Sequence, residues 1–233
     1  MTREAFRTSG LALLALLNLA ATAPADPLNP SCPRALNWST YARMKFTPET
    51  IGDVKVLRAE GKIDEDMPLR LKQAIEANAP IDEIWIRSPG GDARAGNAAG
   101  KIIRDHGIPT RIPGGWACFS ACNFVFMGGP IRFVDDGGLF VVHMFTHLGD
   151  KEAVRSELAK GGDSAISLIG EVEQDSAMLA TEDNDFLIRM GISRKLLTEV
   201  MYRQKAVASD GDKSTRRCLT DAETAKYNVA NAQ

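Results

Sequence analysis

Between Val54 and Met190 the spacing of hydrophobic and polar positions switches repeatedly between two periods. VKVLRAEGKI (54–63) has strand character and ends on a glycine-bearing turn. DEDMPLRLKQAIEANA (64–79) sets Leu69, Leu71, Ala74 and Ile75 at helical spacing behind a run of acids. IDEIWIRS (81–88) is an apolar strand that stops at Pro89-Gly90-Gly91. DARAGNAAGKIIRDHG (92–107) predicts a helix rich in small residues that closes on Gly107. IPTRIP (108–113) is a short strand, SACNFVFMGG (120–129) a short buried helix with a glycine stop, and IRFVDDGGLFVVHMF (131–145) two short strands around a turn. Strands and helices alternating at this spacing predict βαβ units with right-handed crossovers. Beyond His143 the pattern becomes helical. Leu168, Ile169, Val172, Leu179, Phe186, Leu187 and Met190 fall on one face, with Gly161-Gly162 interrupting early. The fold class is α/β with a helical C-terminal part.

The first 25 residues stand outside this pattern. MTREAFRTSG carries Arg3 and Arg7, LALLALLNLA is a short apolar core, and Ala23 and Ala25 supply an A-x-A cleavage site. A membrane span needs ~20 apolar residues, so this stretch predicts a cleaved signal peptide (1–25) rather than an anchor. Residues 26–42 predict an extended lead-in, and residues 43–233 a single domain. A net charge of -2 with no basic cluster gives no footprint for nucleic acid. No later run is long or apolar enough to cross a membrane, so none is expected once the signal is removed. The chain has 4 cysteines, Cys32, Cys118, Cys122 and Cys218, all after the predicted cleavage point, which fits an oxidising compartment. Three connectivities are open. Pairing Cys32 with Cys218 ties the two ends together, while Cys118 and Cys122 are candidates for a local bridge subject to its tight geometry. With no C-x-x-C pair and few histidines, no metal site is expected.

Three junctions carry candidate chemistry. A strand that stops at Ser88-Pro89-Gly90-Gly91 and hands over to a helix exposes backbone N–H groups at the sheet's carboxyl edge, where open α/β folds bind ligands. Ser120 stands at the start of the 120–128 helix. There its hydroxyl would cap the helix or, with the Ala121 N–H and the Gly91 N–H as oxyanion donors, act as a nucleophile. His143 ends the apolar strand LFVVH. A parallel strand delivers it to the same edge, and a neutral imidazole there takes and returns the serine proton. His106 and His147 read as surface residues.

These pieces resemble the ClpP/crotonase superfamily, within it the Clp protease proteolytic subunit and its secreted (periplasmic) relatives. The correspondence runs from about Val54 to His143 through Gly61-x-Ile63, the SPGG turn, the small-residue helix, Ser120-Ala121 and Arg132. A weaker echo lies in RCLTDAETAKYNVA (217–230). The resemblance implies a spiral core of ββα units and a peptide or protein substrate. It also implies Ser120 as nucleophile, His143 as base, Gly91 and Ala121 as oxyanion donors, and assembly into trimers or larger rings.

The third triad member departs from the pattern. Aligned without a gap, the position of the orienting acid is Arg216. Asp212 and Asp210, in the loop SDGDKS, are the candidates to replace it, and Asp212 is the first choice. Lys160 would serve a serine–lysine variant, against which His143 argues. No cofactor is expected: coenzyme A chemistry does not use a Ser–His pair, and an exported protein rarely meets it. Two readings follow, an exported serine hydrolase, most simply a peptidase, and a non-catalytic binding or assembly protein of the same fold.

Overall fold

The computed structural model describes residues 24–147, 151–209 and 214–232. The predicted signal peptide up to Ala23 and the acids Asp210 and Asp212 lie outside the described residues. Two short strands open the chain, β1 (Ala25–Asp26) and β2 (Asn29–Pro33), which pair antiparallel. They are followed by β3 (Lys45–Ile51), β4 (Val54–Glu60), α1 (Met67–Asn78), β5 (Glu83–Arg87), α2 (Ala93–His106), β6 (Thr110–Ile112) and β7 (Ala117–Phe119). Then come α3 (Cys122–Met127), β8 (Arg132–Val134), β9 (Leu139–Val142), α4 (Lys151–Ala159) and α5 (Gly162–Met190). After a wide π-type turn (Leu196–Val200) and a tight 3₁₀ turn (Met201–Arg203), β10 (Arg217–Cys218) and α6 (Asp221–Lys226) close the described chain.

Two sheets form. The larger has the order β3-β4-β5-β6-β8 and is parallel except for β3; the smaller has the order β10-β9-β7. The α/β expectation is met, with several elements the pattern did not signal: the short strands β1, β2, β7 and β10, and the longer β3. β3 (KFTPETI) is almost wholly exposed and carries Pro48, so neither alternation nor composition marks it. It survives because it is an edge strand, where a missing N–H costs no ladder bond. IRFVDDGGLFVV forms two short strands around a turn, as expected, but the strands belong to different sheets. β8 joins the large sheet and β9 the small one.

Helices α1 and α2 bury one face each, and α3 is buried throughout. Met67, Leu71 and Ile75 of α1 are buried, one turn apart, while Leu69 points outward at 60% exposure. In α2 the small residues have a packing reason. A Cβ at Gly100 would stand 2.3 Å from the Phe124 carbonyl oxygen of α3, so only hydrogen allows the two helices this close. The chain after α3 is anchored by Arg132, 1% exposed, whose guanidinium donates to the carbonyls of Gly129, Asn228 and Val229 at 2.7–2.9 Å. Carbonyl oxygens, rather than a carboxylate, satisfy this buried cation. Burial lowers its pKa to about 10. Only the second half of α5 packs on the core, through Leu179, Phe186, Leu187 and Met190. Ile169, which the helical pattern groups with them, is exposed.

The lead-in is not merely extended. Cys32 of β2 is bonded to Cys218 of β10, and β10 pairs with β9, so residues 26–38 lie along the small sheet. All four cysteines are used, the second bridge being Cys118–Cys122.

Candidate active site

The small sheet places its two reactive side chains by register. β7 and β9 are parallel with Phe119 opposite Val141, so the residues at their carboxyl ends, Ser120 and His143, emerge on the same edge. The Ser120 amide donates to the Val141 carbonyl at 3.3 Å, which ties the two strand ends together. His143 Nε2 lies 2.6 Å from Ser120 Oγ, within reach for direct proton transfer.

Ser120 has φ +60°, one of two non-glycine residues with positive φ among those described. This conformation is sparsely populated for a side chain larger than hydrogen. It corrects the expected helix start. α3 begins at Cys122, its N-cap is Ala121, and no side-chain cap is made. The Ser120 hydroxyl therefore faces the imidazole rather than capping a helix. Two features brace the turn: the Ser120 carbonyl accepts from Asn123 N at 2.9 Å, and the Cys118–Cys122 bridge brackets the serine.

Ser88 is 0% exposed and builds the neighbouring turn. Its hydroxyl donates to the Gly61 carbonyl at 2.6 Å and accepts from Gly90 N at 3.0 Å, while its backbone bonds to Ala117 and Phe119 of β7. The SPGG turn is thereby stitched to the strand that carries Ser120. A Cβ on Gly90 would meet the Phe119 carbonyl oxygen and Ser120 Cβ, both at 2.6 Å, and one on Gly91 (φ +148°) the Ile63 carbonyl oxygen at 2.0 Å. Both positions need glycine. The amides of Gly91 and Ala121 make no hydrogen bond among the described residues. Gly91 is exposed, beside a cleft of about 840 Å³ lined in part by Ile63, Asp64 and Asp92. A serine hydroxyl, an imidazole and two N–H groups without a hydrogen-bond partner among the described residues thus stand on adjoining turns, the kinds of group that acyl transfer uses.

His143 is held below the ordinary imidazole pKa, chiefly by burial; a backbone hydrogen bond at Met144 pushes the other way. Its ring packs on Phe119 with centroids 4.7 Å apart. At the position of the expected acid, Arg216 does not reach His143. Its guanidinium pairs with Asp26 at 2.8 Å and lies over the Trp38 ring. Lys160 pairs with Glu157 at an exposed helix end, outside the site. His106 is exposed, as expected, and His147, half-buried, lies 3.3 Å from Asp175. Trp38 and Phe119 are the site residues that local patterns did not mark, since neither belongs to a motif and their contact is made only by folding.

No protein-family model matches the chain, and no curated relative matches it. Solved structures do. A point mutant of ClpP1 from Listeria monocytogenes superposes with a TM-score of 0.50 at 14% identity, over 76% of this chain and 88% of that one. The fold is ClpP-like. At this identity the likeness speaks for the architecture, and the chemistry of the ClpP-like chain rests on the geometry of its own residues.

Proposed function

We propose that this ClpP-like chain is an exported serine hydrolase, a peptidase that works through an acyl-enzyme on Ser120. The observation that carries the reading is the 2.6 Å contact between Ser120 Oγ and His143 Nε2 at the shared edge of β7 and β9. Ser120 Oγ attacks the scissile carbonyl carbon while its proton passes to Nε2. The carbonyl oxygen takes the negative charge and is met by the Gly91 and Ala121 amides. Collapse breaks the C–N bond, and the amine leaves with the proton from His143. Water, deprotonated by the same imidazole, then releases the acyl group.

A fluorophosphonate is expected to label Ser120, and the rate should follow the neutral fraction of His143. Burial lowers the imidazole pKa, so the reactive neutral form persists to more acid pH. Labelling should be full above the ordinary value of about 6.5 and fall away only below it. An acid limb centred at or above that value would contradict the assignment of His143. Arg216 in the acid's position favours a second reading, a binding or assembly protein of this fold. Folded, oxidised protein that neither labels nor cleaves any peptide or ester would establish it.

The same proposal places the protein outside the cytoplasm, beginning at Asp26. The basic, apolar and small-residue layout of residues 1–25 and the two bridges support this. Mass spectrometry of protein recovered from its native compartment should read Asp26 as the first residue; an intact Met1 with four free thiols would refute it.

A further inference from the structure

We propose that Trp38, carried by the N-terminal strap and backing Phe119, is a positioning residue for the His143 imidazole; this rests on the serine-hydrolase reading. Four groups stack in order behind the reacting atoms. The Arg216 guanidinium lies 5.9 Å from the Trp38 ring centre, Trp38 stacks on Phe119 at 5.6 Å and 24°, and Phe119 meets His143 at 4.7 Å and 38°. His143 in turn reaches Ser120. An imidazole at the end of a strand can rotate about two side-chain bonds. Only one setting aims Nε2 at the serine, and a ring face packed against it selects that setting.

The strap that supplies Trp38 is held at several points. Asn37 accepts from Ala117 N at 3.0 Å through its carbonyl and from Arg87 at 3.2 Å through its side chain. Cys32 is bonded to Cys218, and Asp26 pairs with Arg216. These contacts lock the N-terminal segment against β7 and β10, the two strands that flank β9 in the small sheet. Arg216 lies over the Trp38 ring and pairs with Asp26, on the side of Trp38 away from Phe119 and His143 in the order of contacts. Removing Trp38 therefore hydrates and loosens the Phe119–His143 pair without adding or deleting a charge.

The test uses the oxidised mature chain. Trp38→Ala should lower the fluorophosphonate labelling rate about fivefold to tenfold, the size of one aromatic pair's preference. It should lower kcat on a p-nitrophenyl ester with KM little changed, and move the midpoint of the acid limb upward. Trp38→Phe should recover most of the rate. A rate within twofold of wild type with an unmoved midpoint overturns the proposal, as does a loss seen in KM alone. Should Trp38→Ala fail to fold, Phe119→Leu, which keeps an apolar side chain beside β9, removes the ring face directly and is judged by the same outcomes. An NMR titration of His143 keeps the two readings apart, because it needs no turnover. If wild type does not label, the hydrolase reading fails. The positioning role then stands or falls on whether the His143 midpoint rises in Trp38→Ala.

Discussion

Ser120→Ala and His143→Ala are each expected to reduce turnover by about 10⁴- to 10⁶-fold, and the double variant should be little worse than either single one. The magnitude follows from serine-hydrolase templates in which nucleophile and base act as one unit. A serine hydroxyl is a poor nucleophile at neutral pH unless a base within hydrogen-bond reach takes its proton, and His143 Nε2 is 2.6 Å away. With the serine gone, the base has nothing to deprotonate; with the base gone, the hydroxyl stays protonated. On the proposed mechanism, what remains is the two amides of Gly91 and Ala121, which would still polarise a carbonyl. Additive losses in kcat would show that the two residues do not act together and would remove the mechanism. Asp212→Asn separates a triad from a dyad: a fall of about 10⁴ reports an orienting carboxylate, by the same template, whereas an unchanged rate reports a dyad.

Cutting the Cys32–Cys218 bridge is expected to cost about 5 kcal/mol, against about 2 kcal/mol for Cys118–Cys122. The difference comes from chain entropy: the cost of closing a loop grows with the logarithm of its length, and the separations are 186 and 4 residues. Stabilities of single domains are about 5–15 kcal/mol, so paired alanines at 32 and 218 should bring the chain close to unfolding. The same pair at 118 and 122 should leave a folded protein whose loss appears at Ser120, the residue the bridge encloses, as slower labelling. Denaturant midpoints of the two double variants measure the first effect. Equal midpoints would mean that the strap is held by its other contacts, such as Asp26–Arg216 and Asn37–Ala117.

Apart from β7, the alternation of strand and helix from Val54 to Met127 was legible, most clearly where α1 and β5 bury one face of regular period. Met67, Leu71 and Ile75 recur at one-turn spacing, and IDEIWIRS puts Ile84 and Ile86 inward. The junctions were legible for a related reason. Pro-Gly-Gly after a strand, and Ser-Ala before an apolar helix, are local signals of backbone that turns sharply and leaves N–H groups uncovered. β3 was not legible, because an exposed edge strand with a proline buries too little to impose a period. Nor was the exposed first half of α5, since Ile169 falls at the same helical spacing as the buried residues at its other end.

The amino-acid sequence by itself determined the α/β class, the order of the elements, and which residue types could perform acyl transfer. Those properties depend on local periodicity and on chemical identity, both written within a few residues of one another. Tertiary structure alone decided the left-handed backbone of Ser120, the split of β8 and β9 between two sheets, and the cysteine pairing. It alone brought Trp38 and Arg216 into one stack with His143. Each of these depends on contacts between residues distant along the chain. Their energies arise only when β7, β9 and β10 are already side by side, and no run of neighbouring residues records that arrangement.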